Sequence, residues 1–285
     1  MRTVICDSQL ATNIQRCAAR VNFYFNMNLR EHEVGHSLQK GILVHQFLAE
    51  YYRQRKNSGN KLDFLSCGNL ALEFAKPLTA SLTISEGDIN NVFRSLEQYV
   101  EMYKFEPMEV LFVEEPFAIE LYKNEDEDLR IVYVGVIDLI AKLMGQDQKV
   151  YDHKSQSRKS EFLLLDDQFE GYTTATNSNT LTVNVIGLQT SVPVDEKMRR
   201  IPLSYTPYLL ERWKQHIIYW VKQYLVYKDN QGWPENHQGC NKFQLCEYYQ
   251  ICIAASDAAR AWKMKAEYII GEPWDPTAVL SNPKE

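Results

Sequence analysis

The sequence predicts an α/β fold, as one domain with appended helices. Apolar residues recur at helical spacing early in the chain, β-rich segments follow between residues 108 and 154, and an amphipathic helix begins at Pro207. The 285 residues contain no repeats, low-complexity tracts or convincing linkers, so we predict a single domain over 1–285. A hydrophobic content of 45% is enough for a substantial core and excludes disordered and collagen-like chains.

The first part of the chain predicts three helices. Residues 8–28 form the first, with Ser8 as its N-cap, and residues 37–56 form the second, with Ser37 as its N-cap. The segment that follows predicts a loop or a short irregular region as far as about residue 85. Ser85 then begins a third helix with apolar side chains at helical spacing.

The middle of the chain predicts strands. The segments MEVLFVEEPFAIELY, RIVYVGVIDLIAKL and KVYDHK are rich in β-branched and aromatic residues, and charged or glycine-containing turns separate them. The acidic run 125–128 predicts a solvated hairpin tip. Residues 161–175 then predict a helix, TLTVNVIGLQT a strand, and 207–228 a helix that starts at its proline.

Composition and charge exclude several classes of protein. The formal net charge is −6, which argues against binding phosphate backbones through net charge alone, although a local basic strip would suffice. The N-terminus MRTVICDSQLATNIQ lacks the apolar run of a signal peptide, and no stretch approaches the roughly 18 apolar residues of a membrane span. We therefore expect a soluble, non-secreted, cytoplasmic protein.

The most informative segment joins two predicted strands. Gly135-Val-Ile-Asp138 lies on one strand, and Asp152-His-Lys154 lies on the next. Neighbouring strands can present Asp138 and Asp152 to one point, where carboxylate oxygens suit magnesium or manganese. Lys154 faces the same side of its strand as Asp152, and a cation beside two carboxylates suits phosphodiester hydrolysis. Taken alone, the Asp-x-Lys triplet is common and is better explained as a surface ion pair.

The six cysteines are unevenly placed. Cys240, Cys246 and Cys252 are separated by five residues each time. Zinc sites prefer closer pairs, whereas an iron–sulfur cluster takes four thiolates of which one can be remote, and Cys17 is the best candidate for that one. On spacing alone, three buried thiols near a helix are an equally good interpretation.

Several motifs in a fixed order make the sequence similar to a known family. They are Cys17 in QRCAARVNFYF, Gly41 and His45 in G-x-x-x-H, Glu114 and Glu115 in VEEPF, Gly135 and Asp138 in G-x-x-D, Asp152 and Lys154 in D-x-K, Gln168 and Tyr172 in Q-x-x-x-Y, and the three late cysteines. In this combination the chain resembles the PD-(D/E)XK nucleases of the RecB-like branch. That branch includes the AddB nuclease domain and the iron–sulfur exonucleases of CRISPR systems and phages. The resemblance extends from Ser8 to Cys252.

The resemblance implies a particular architecture. A restriction-endonuclease-like core, with a mixed central sheet flanked by helices, would occupy about residues 86–230, and the helical parts 8–30 and 236–256 would be joined by a 4Fe–4S cluster. Cys6 and Cys67 match no motif and are interpreted as structural thiols. The implied cluster ligands are Cys17, Cys240, Cys246 and Cys252.

The resemblance also implies roles at the site, with a manganese or magnesium ion as cofactor. Gln168 and Tyr172, on one face of a helix, would orient the site or the DNA strand. Glu115 would be a further acidic ligand, with Glu114 as the competing choice that strand register decides. The implied metal ligands are His45, Asp138, Asp152 and the backbone carbonyl of His153, and the implied catalytic groups are Asp138, Asp152, Lys154, Gln168 and Tyr172.

Together these features predict a metal-dependent deoxyribonuclease, specifically an exonuclease that degrades single-stranded DNA from an end. It would act in DNA recombination or repair, phage replication or CRISPR adaptation, with a helicase or a CRISPR integrase as candidate partner. No G-x-x-x-x-G-K-[ST] motif is present, so the chain is not expected to unwind a duplex. The alternative is a catalytically silent relative that binds DNA or a partner protein. A zinc-stabilised module is disfavoured by the cysteine spacing.

DNA binding would depend on local groups of basic residues that track a phosphate backbone. Each group could equally be an ordinary solvated face. The groups are Arg16, Arg20 and Arg30; Arg53, Arg55 and Lys56; Arg158 and Lys159; and Arg199 and Arg200.

Overall fold

The computed structural model describes residues 1–156, 164–241 and 245–281, which form two compact units. Unit 1 comprises Met1–Val34, Ala118–Gly135 and the described residues from Tyr208 onward. Unit 2 comprises Gly35–Phe117 and the described residues of Val136–Pro207. Within the described ranges, no helix combines the length and apolar character needed to cross a membrane.

The helices and strands of the described residues follow one another along both units. In chain order they are β1 (Arg2–Cys6), α1 (Ser8–Arg16), α2 (Ala18–Val21), β2 (Leu29–Glu31), α3 (His36–Asn57), α4 (Phe64–Leu78), α5 (Glu86–Tyr103), β3 (Met108–Asn124), β4 (Leu129–Leu143), β5 (Gln148–Gln156), α6 (Asp167–Ala175), β6 (Thr180–Gly187), α7 (Val194–Lys197), β7 (Met198–Ser204), α8 (Pro207–Asp229), α9 (Tyr249–Cys252), α10 (Asp257–Glu267), β8 (Tyr268–Ile270) and α11 (Ala278–Ser281).

Unit 2 is built on a mixed sheet. β4 pairs with β5 antiparallel, β5 pairs with β6 parallel, and β6 pairs with β7 antiparallel. Strand β3 also pairs with β4. The protein is therefore an α/β protein, as the sequence pattern predicts, and its mixed central sheet flanked by helices is the core that the resemblance implies. Strand β7 was not among the predicted elements.

One face of this sheet is covered by α3, α4 and α5. Apolar side chains from the three helices, such as Phe47, Ala71 and Leu96, form one buried cluster with Tyr151 of β5 and Ile186 of β6. Burial of such surface is the main stabilising term of the fold, at roughly 25 cal/mol for each Å² removed from water. Helix α6 lies against β5 and β6 on the other face.

Helices α3, α5 and α6 test the predicted boundaries in unit 2. Helix α3 begins one residue before the predicted Ser37 cap, and Gly35 is its N-cap. Helix α5 is capped as predicted, because the Ser85 hydroxyl accepts a hydrogen bond from the Asp88 amide. Helix α6 covers residues 167–175 of the predicted helix 161–175. Residues 164–166 precede the helix, with Asp166 as its N-cap, and 161–163 lie outside the described residues.

The predicted irregular region before Ser85 is wrong, because it contains the four-turn helix α4. The Asp63 carboxylate accepts from the Ser66 amide and caps the helix, which ends in a short 3₁₀ turn. Its buried face consists mainly of small residues, with Cys67, Gly68 and Ala71 side by side. Large apolar side chains, Leu65, Leu70 and Phe74, also lie on its exposed side, so the larger apolar residues do not mark the buried face.

The first predicted helix, 8–28, is wrong as a single helix. Helix α1 is capped by Asp7 rather than Ser8 and ends at Arg16. Cys17 has an extended backbone, with φ −169° and ψ 123°, and a short α-helix and a π-helical turn follow it. Unit 1 also contains two pairings that were not predicted: β1 with the first half of β4, parallel, and β2 with β8, antiparallel.

Candidate active site

Two buried carboxylates lie side by side where β4 and β5 run together in unit 2. The antiparallel ladder includes the pair Leu139–Tyr151, so the next residues, Asp138 and Asp152, are neighbours. Their exposed fractions are only 7% and 0%. The peptide N–H of His153 donates a hydrogen bond of 2.7 Å to Asp138 Oδ2 and holds that carboxylate against β5.

Two more potential metal ligands come from α3 and β3. His45 of α3 places Nδ1 3.8 Å from Asp138 Oδ2. Glu114 of β3 joins them, so that ligand atoms of all three residues lie within 4.8 Å of one another. Across the described ranges, this is the one group of three or more such side chains close enough to share an ion, and Glu115 is outside it.

The backbone of Glu114 explains which of the two glutamates reaches the group. Its φ is +52°, in the left-handed region that a non-glycine residue seldom adopts. A left-handed residue interrupts the regular alternation of a strand and redirects its own side chain. Strand periodicity could therefore not decide between Glu114 and Glu115 in advance.

Lys154 links this acidic group to helix α6. Its Nζ lies 3.0 Å from Oδ1 and 2.8 Å from Oδ2 of Asp152, and it donates a 2.9 Å hydrogen bond to Gln168 Oε1. Gln168 Nε2 in turn donates to the Tyr172 hydroxyl at 2.7 Å. The residues that the D-x-K and Q-x-x-x-Y motifs single out thus form one hydrogen-bonded row, and the Asp166 cap of α6 positions its first turn.

Burial dominates the electrostatics of the two aspartates. Desolvation raises the pKa of Asp138 to about 7, despite the hydrogen bond from His153, and raises the pKa of Asp152 to about 7, despite the charge of Lys154. Burial also lowers the pKa of Lys154, but the charge and hydrogen bond of Asp152 outweigh it, so the pKa is raised overall. Lys154 is therefore protonated at neutral pH, where Asp152 is partly ionised.

The donor set fits a hard divalent cation. Carboxylates of Glu114 and Asp138 provide the oxygen ligands that magnesium and manganese prefer, and Asp152 is beside them. Burial lowers the pKa of His45, so its imidazole is neutral near pH 7, which is the form that binds a metal. A bound cation would also offset the cost of keeping these buried carboxylates ionised.

A comparison with protein families identifies the family of the chain. The model of the PD-(D/E)XK nuclease superfamily matches residues 9–253 of the chain. The chain belongs to the PD-(D/E)XK nuclease superfamily. Family membership therefore indicates a metal-dependent nuclease, a hydrolase that acts on nucleic acid, and the group of His45, Glu114 and Asp138 agrees with a divalent metal cofactor.

Other comparisons are less informative for this PD-(D/E)XK chain. A solved structure described as "Crystal structure of SSO0001" aligns with 80% of this chain and 84% of that chain, at 11% sequence identity and a TM-score of 0.34. No curated protein matches the chain.

The side chain of His153 belongs to a buried polar network, and its ring centre lies 6.2 Å from that of His45. It is 2% exposed, stacks on the Tyr52 ring at 5.5 Å between centroids, and its Nδ1 lies 3.0 Å from Asn184 Nδ2. Asn184 Nδ2 also donates to the Tyr99 hydroxyl at 2.9 Å. The sequence analysis missed this buried polar network, although strand register is the signal that could have indicated it.

The four motif cysteines of this PD-(D/E)XK nuclease lie together in unit 1. Cys17, Cys240, Cys246 and Cys252 line one pocket, where the amide of Asn236 donates to Cys17 Sγ at 3.4 Å. Among the described residues, no three of these sulfur atoms lie within 4.8 Å of one another, so they do not form a site for a single ion. The two other cysteines, Cys6 and Cys67, are fully buried as predicted for structural thiols.

Seven of the described residues in the predicted basic groups have contacts inside the protein that partly occupy their charged groups. Arg158 and Lys159 lie outside the described residues. The contacts pair Arg20 with Glu247, Arg53 with Glu50, Arg200 with Glu106, Arg16 with the Gly239 carbonyl, Arg55 with the Leu62 carbonyl, Arg30 with the Tyr24 ring and Lys56 with the Phe112 ring.

Proposed function

We propose that this PD-(D/E)XK chain is a metal-dependent deoxyribonuclease, and specifically an exonuclease that hydrolyses single-stranded DNA from an end. The observation that carries the proposal is the position of Lys154. Its ammonium group contacts Asp152 directly, next to the group formed by His45, Glu114 and Asp138. A lysine, carboxylates and an imidazole so placed can bind a cation and a phosphodiester together.

The residues would divide the work as follows. His45, Glu114, Asp138 and Asp152 would hold a magnesium or manganese ion, together with the His153 carbonyl that the resemblance implies. When bound, that ion supplies a Lewis acid for the phosphoryl oxygen and lowers the pKa of a water molecule. The Lys154 ammonium, oriented by Gln168, would orient the attacking water or offset the negative charge that develops as one P–O bond forms and the other breaks.

Gln168 and Tyr172 act as positioning groups in this proposal. The Gln168 amide accepts from Lys154 with its oxygen and donates to Tyr172 with its nitrogen, so its orientation is fixed at both ends. A lysine with four rotatable bonds loses less freedom in the transition state when it is already held in place.

The finer features of the proposal are supported by the motif resemblance to RecB-like nucleases. They are attack at a DNA end, preference for single strands, and a role in recombination or repair, phage replication or CRISPR adaptation. A helicase or an integrase is the candidate partner, in the cytoplasm of a bacterial, archaeal or phage-infected cell. The proposal treats 1–285 as one nuclease domain.

We also propose that Cys17, Cys240, Cys246 and Cys252 hold a 4Fe–4S cluster. The support is that all four line one pocket of unit 1. In such a cluster each thiolate binds a different iron, so the sulfurs need not converge as the ligands of one ion do. Iron content and visible absorption of anaerobically purified protein test this, and an iron-free, colourless protein or a zinc-loaded one contradicts it.

The decisive test of the enzymatic function uses end-labelled DNA. Single-stranded DNA labelled at the 5′ end or the 3′ end is incubated with protein and manganese, magnesium or EDTA, and a circular single strand reports endonuclease cuts. We expect metal-dependent loss of linear strands and survival of the circle. The label released first gives the polarity.

The matched variants are Lys154→Ala and Lys149→Ala, two lysines of the same strand. Removal of Lys154 should reduce cleavage by about 100-fold or more, the size of effect expected when one group that stabilises transition-state charge is lost. Lys149→Ala should cleave like the wild type. A folded wild-type protein that retains DNA but cuts nothing under any metal supports the silent, DNA-binding alternative instead.

A further inference from the structure

Two consecutive arginines on β7 face opposite sides of the unit 2 sheet. Arg200 is paired across the strands with Asn184, which is paired with His153. Directly paired residues point to the same face, so Arg200 belongs to the buried network on the α3–α5 side. There its guanidinium forms an ion pair with Glu106 and lies 4.1 Å from the centre of the Tyr103 ring. Its charge is therefore neutralised inside the fold.

Arg199 lies on the face that carries Lys154. Lys154 is paired with Val185, and Val185 is paired with Arg199, so the three residues form one row across β5, β6 and β7. Neighbouring strands are about 4.8 Å apart, which puts Arg199 roughly 10 Å from Lys154 along the sheet. Lys154 is held toward Asp152 and Gln168, whereas Arg199 is held toward Gln156, two residues further along β5. In these positions the two charges lie apart and suit different phosphates of one strand.

The charge of Arg199 has little compensation in its surroundings. One terminal nitrogen donates a 3.2 Å hydrogen bond to Gln156 Oε1, a neutral acceptor. Its Nε is buried and has no hydrogen-bond partner within the described parts of the chain, where no carboxylate forms an ion pair with it either. A half-buried guanidinium that is held by a neutral amide still has donors and a full positive charge to offer to an anion.

We infer that Arg199 is a substrate-binding residue that contacts a backbone phosphate of the nucleic acid strand, other than the phosphate that is cleaved at Lys154. The inference rests on the proposed nuclease function. A guanidinium presents two parallel N–H groups to a phosphate, so it fixes the position of a strand without reading its bases. Held by Gln156, it would anchor the strand while Lys154 acts at the scissile phosphate.

Binding measurements test this contact separately from cleavage. The anisotropy of labelled single-stranded DNA is recorded in EDTA at several salt concentrations for wild type, Arg199→Gln, Arg199→Lys and Arg94→Gln. Arg94 is the matched control, because it is exposed on α5, which packs on the opposite face of the sheet. Thermal unfolding shows that each variant is folded.

We expect Arg199→Gln to weaken binding about tenfold and to reduce the slope of log K against log salt by about 0.7, the value for one single-strand phosphate contact. Arg199→Lys should keep the slope and bind with intermediate affinity, while Arg94→Gln should match the wild type. In cleavage assays, Arg199→Gln should raise KM more than it lowers kcat, because the contact is made before and during the reaction.

A second measurement separates phosphate binding from a purely structural role. If Arg199 only holds Gln156, then Gln156→Ala should reproduce the affinity loss of Arg199→Gln, and neither should change the salt slope. In a scan of DNA strands with one neutral methylphosphonate each, wild type should lose affinity at a position beside the scissile one, and Arg199→Lys should lose less there. This scan tests the phosphate contact of Arg199 even if Arg199→Gln does not fold.

The outcomes are distinguishable from a failure of the proposed function. Suppose that the wild type cleaves DNA, but that Arg199→Gln has an unchanged salt slope or the scan finds no second sensitive phosphate. Either result overturns the Arg199 contact and leaves the nuclease function supported. A wild-type protein that binds DNA with the Arg199 effect but never cleaves it retains the contact and overturns the enzyme. A wild-type protein that neither binds nor cleaves DNA overturns both.

Discussion

At the scale of single residues, the backbone of Glu114 matters as much as its carboxylate. A left-handed residue inside a strand costs of order 1–3 kcal/mol and persists where the surrounding structure enforces it. Here it directs the Glu114 side chain to the same point as those of His45 and Asp138. The strain is thus located at the proposed metal ligands, where the geometry of the donors has to be accurate.

This arrangement predicts different effects for the two neighbouring glutamates. Glu114→Gln should weaken Mn²⁺ binding by about tenfold or more, because a neutral amide replaces a carboxylate ligand. Glu115→Gln removes the same charge one residue away and should leave the affinity within about twofold. Calorimetric titration of the metal without DNA measures both, and a weaker site in Glu115→Gln alone would assign the ligand to Glu115.

The buried aspartates predict a dependence of stability on pH. Burial raises the pKa of both Asp138 and Asp152 from 3.8 to about 7, so between these values the folded protein holds protons that the unfolded chain has lost. The contribution of this pair to the stability of the metal-free protein therefore falls as pH rises from about 4 to 7. A bound cation needs the ionised carboxylates, so its stabilising effect should grow over the same range.

Thermal unfolding with and without Mn²⁺ at pH 5.5 and at pH 7.5 measures this linkage. The increase in Tm on adding metal should be larger at pH 7.5, and metal binding at pH 6 should release protons into the buffer. In the double variant Asp138→Asn/Asp152→Asn, the increase in Tm on adding Mn²⁺ should disappear at both pH values. An equal increase at the two pH values in wild type would show that these carboxylates are already ionised at pH 5.5.

At the scale of elements, the sequence predicted best where side-chain pattern and local signals agree. Strand alternation indicates β4 to β6, and the Ser85 cap indicates α5. The helical pattern is misleading at Cys17, because the apolar spacing continues there although the backbone becomes extended. The break in the helix goes with contacts to residues far along the chain, such as the hydrogen bond from the Asn236 amide to Cys17 Sγ. Some contacts of the predicted basic groups were also beyond local pattern, because partners such as Glu247 of Arg20 and Glu106 of Arg200 are distant in sequence.

Two helical glycines predict opposite responses to the same substitution. A Cβ on Gly68 of α4 would lie 2.4 Å from Cγ1 of Val100, a β-branched side chain with little rotamer freedom in a helix. Gly68→Ala should therefore destabilise the protein by about 1–3 kcal/mol. A Cβ on Gly41 of α3 would meet only the Ser155 hydroxyl at 3.4 Å, so Gly41→Ala should be neutral or stabilising by up to about 1 kcal/mol. Denaturant unfolding of both variants checks the contrast, and a stabilised Gly68→Ala would contradict the tight packing of α4 on α5.

At the scale of the whole molecule, the two proposed cofactor sites belong to different units. His45, Glu114, Asp138 and Asp152 are all in unit 2, and Cys17, Cys240, Cys246 and Cys252 are all in unit 1. Each set is assembled from segments distant in the sequence, which is why motif order, and not local pattern, indicated them. The donor chemistries also differ, because oxygen and imidazole ligands select hard divalent cations, whereas thiolates select iron–sulfur clusters.

This separation predicts that each cofactor can be removed without the other. Cys246→Ser should lose the iron and the visible absorption, while the affinity of unit 2 for Mn²⁺ changes by no more than about twofold, since no ligand of that ion is altered. Conversely, Asp138→Asn should lose Mn²⁺ binding and keep its iron.

Cys6→Ala is the control, because Cys6 is a buried cysteine of unit 1 that does not line the four-cysteine pocket. Iron assay and calorimetric titration on the same samples decide the result. If Cys246→Ser loses Mn²⁺ binding as well, the iron-binding part must support the geometry of the nuclease site, and cleavage would then depend on the presence of the cluster.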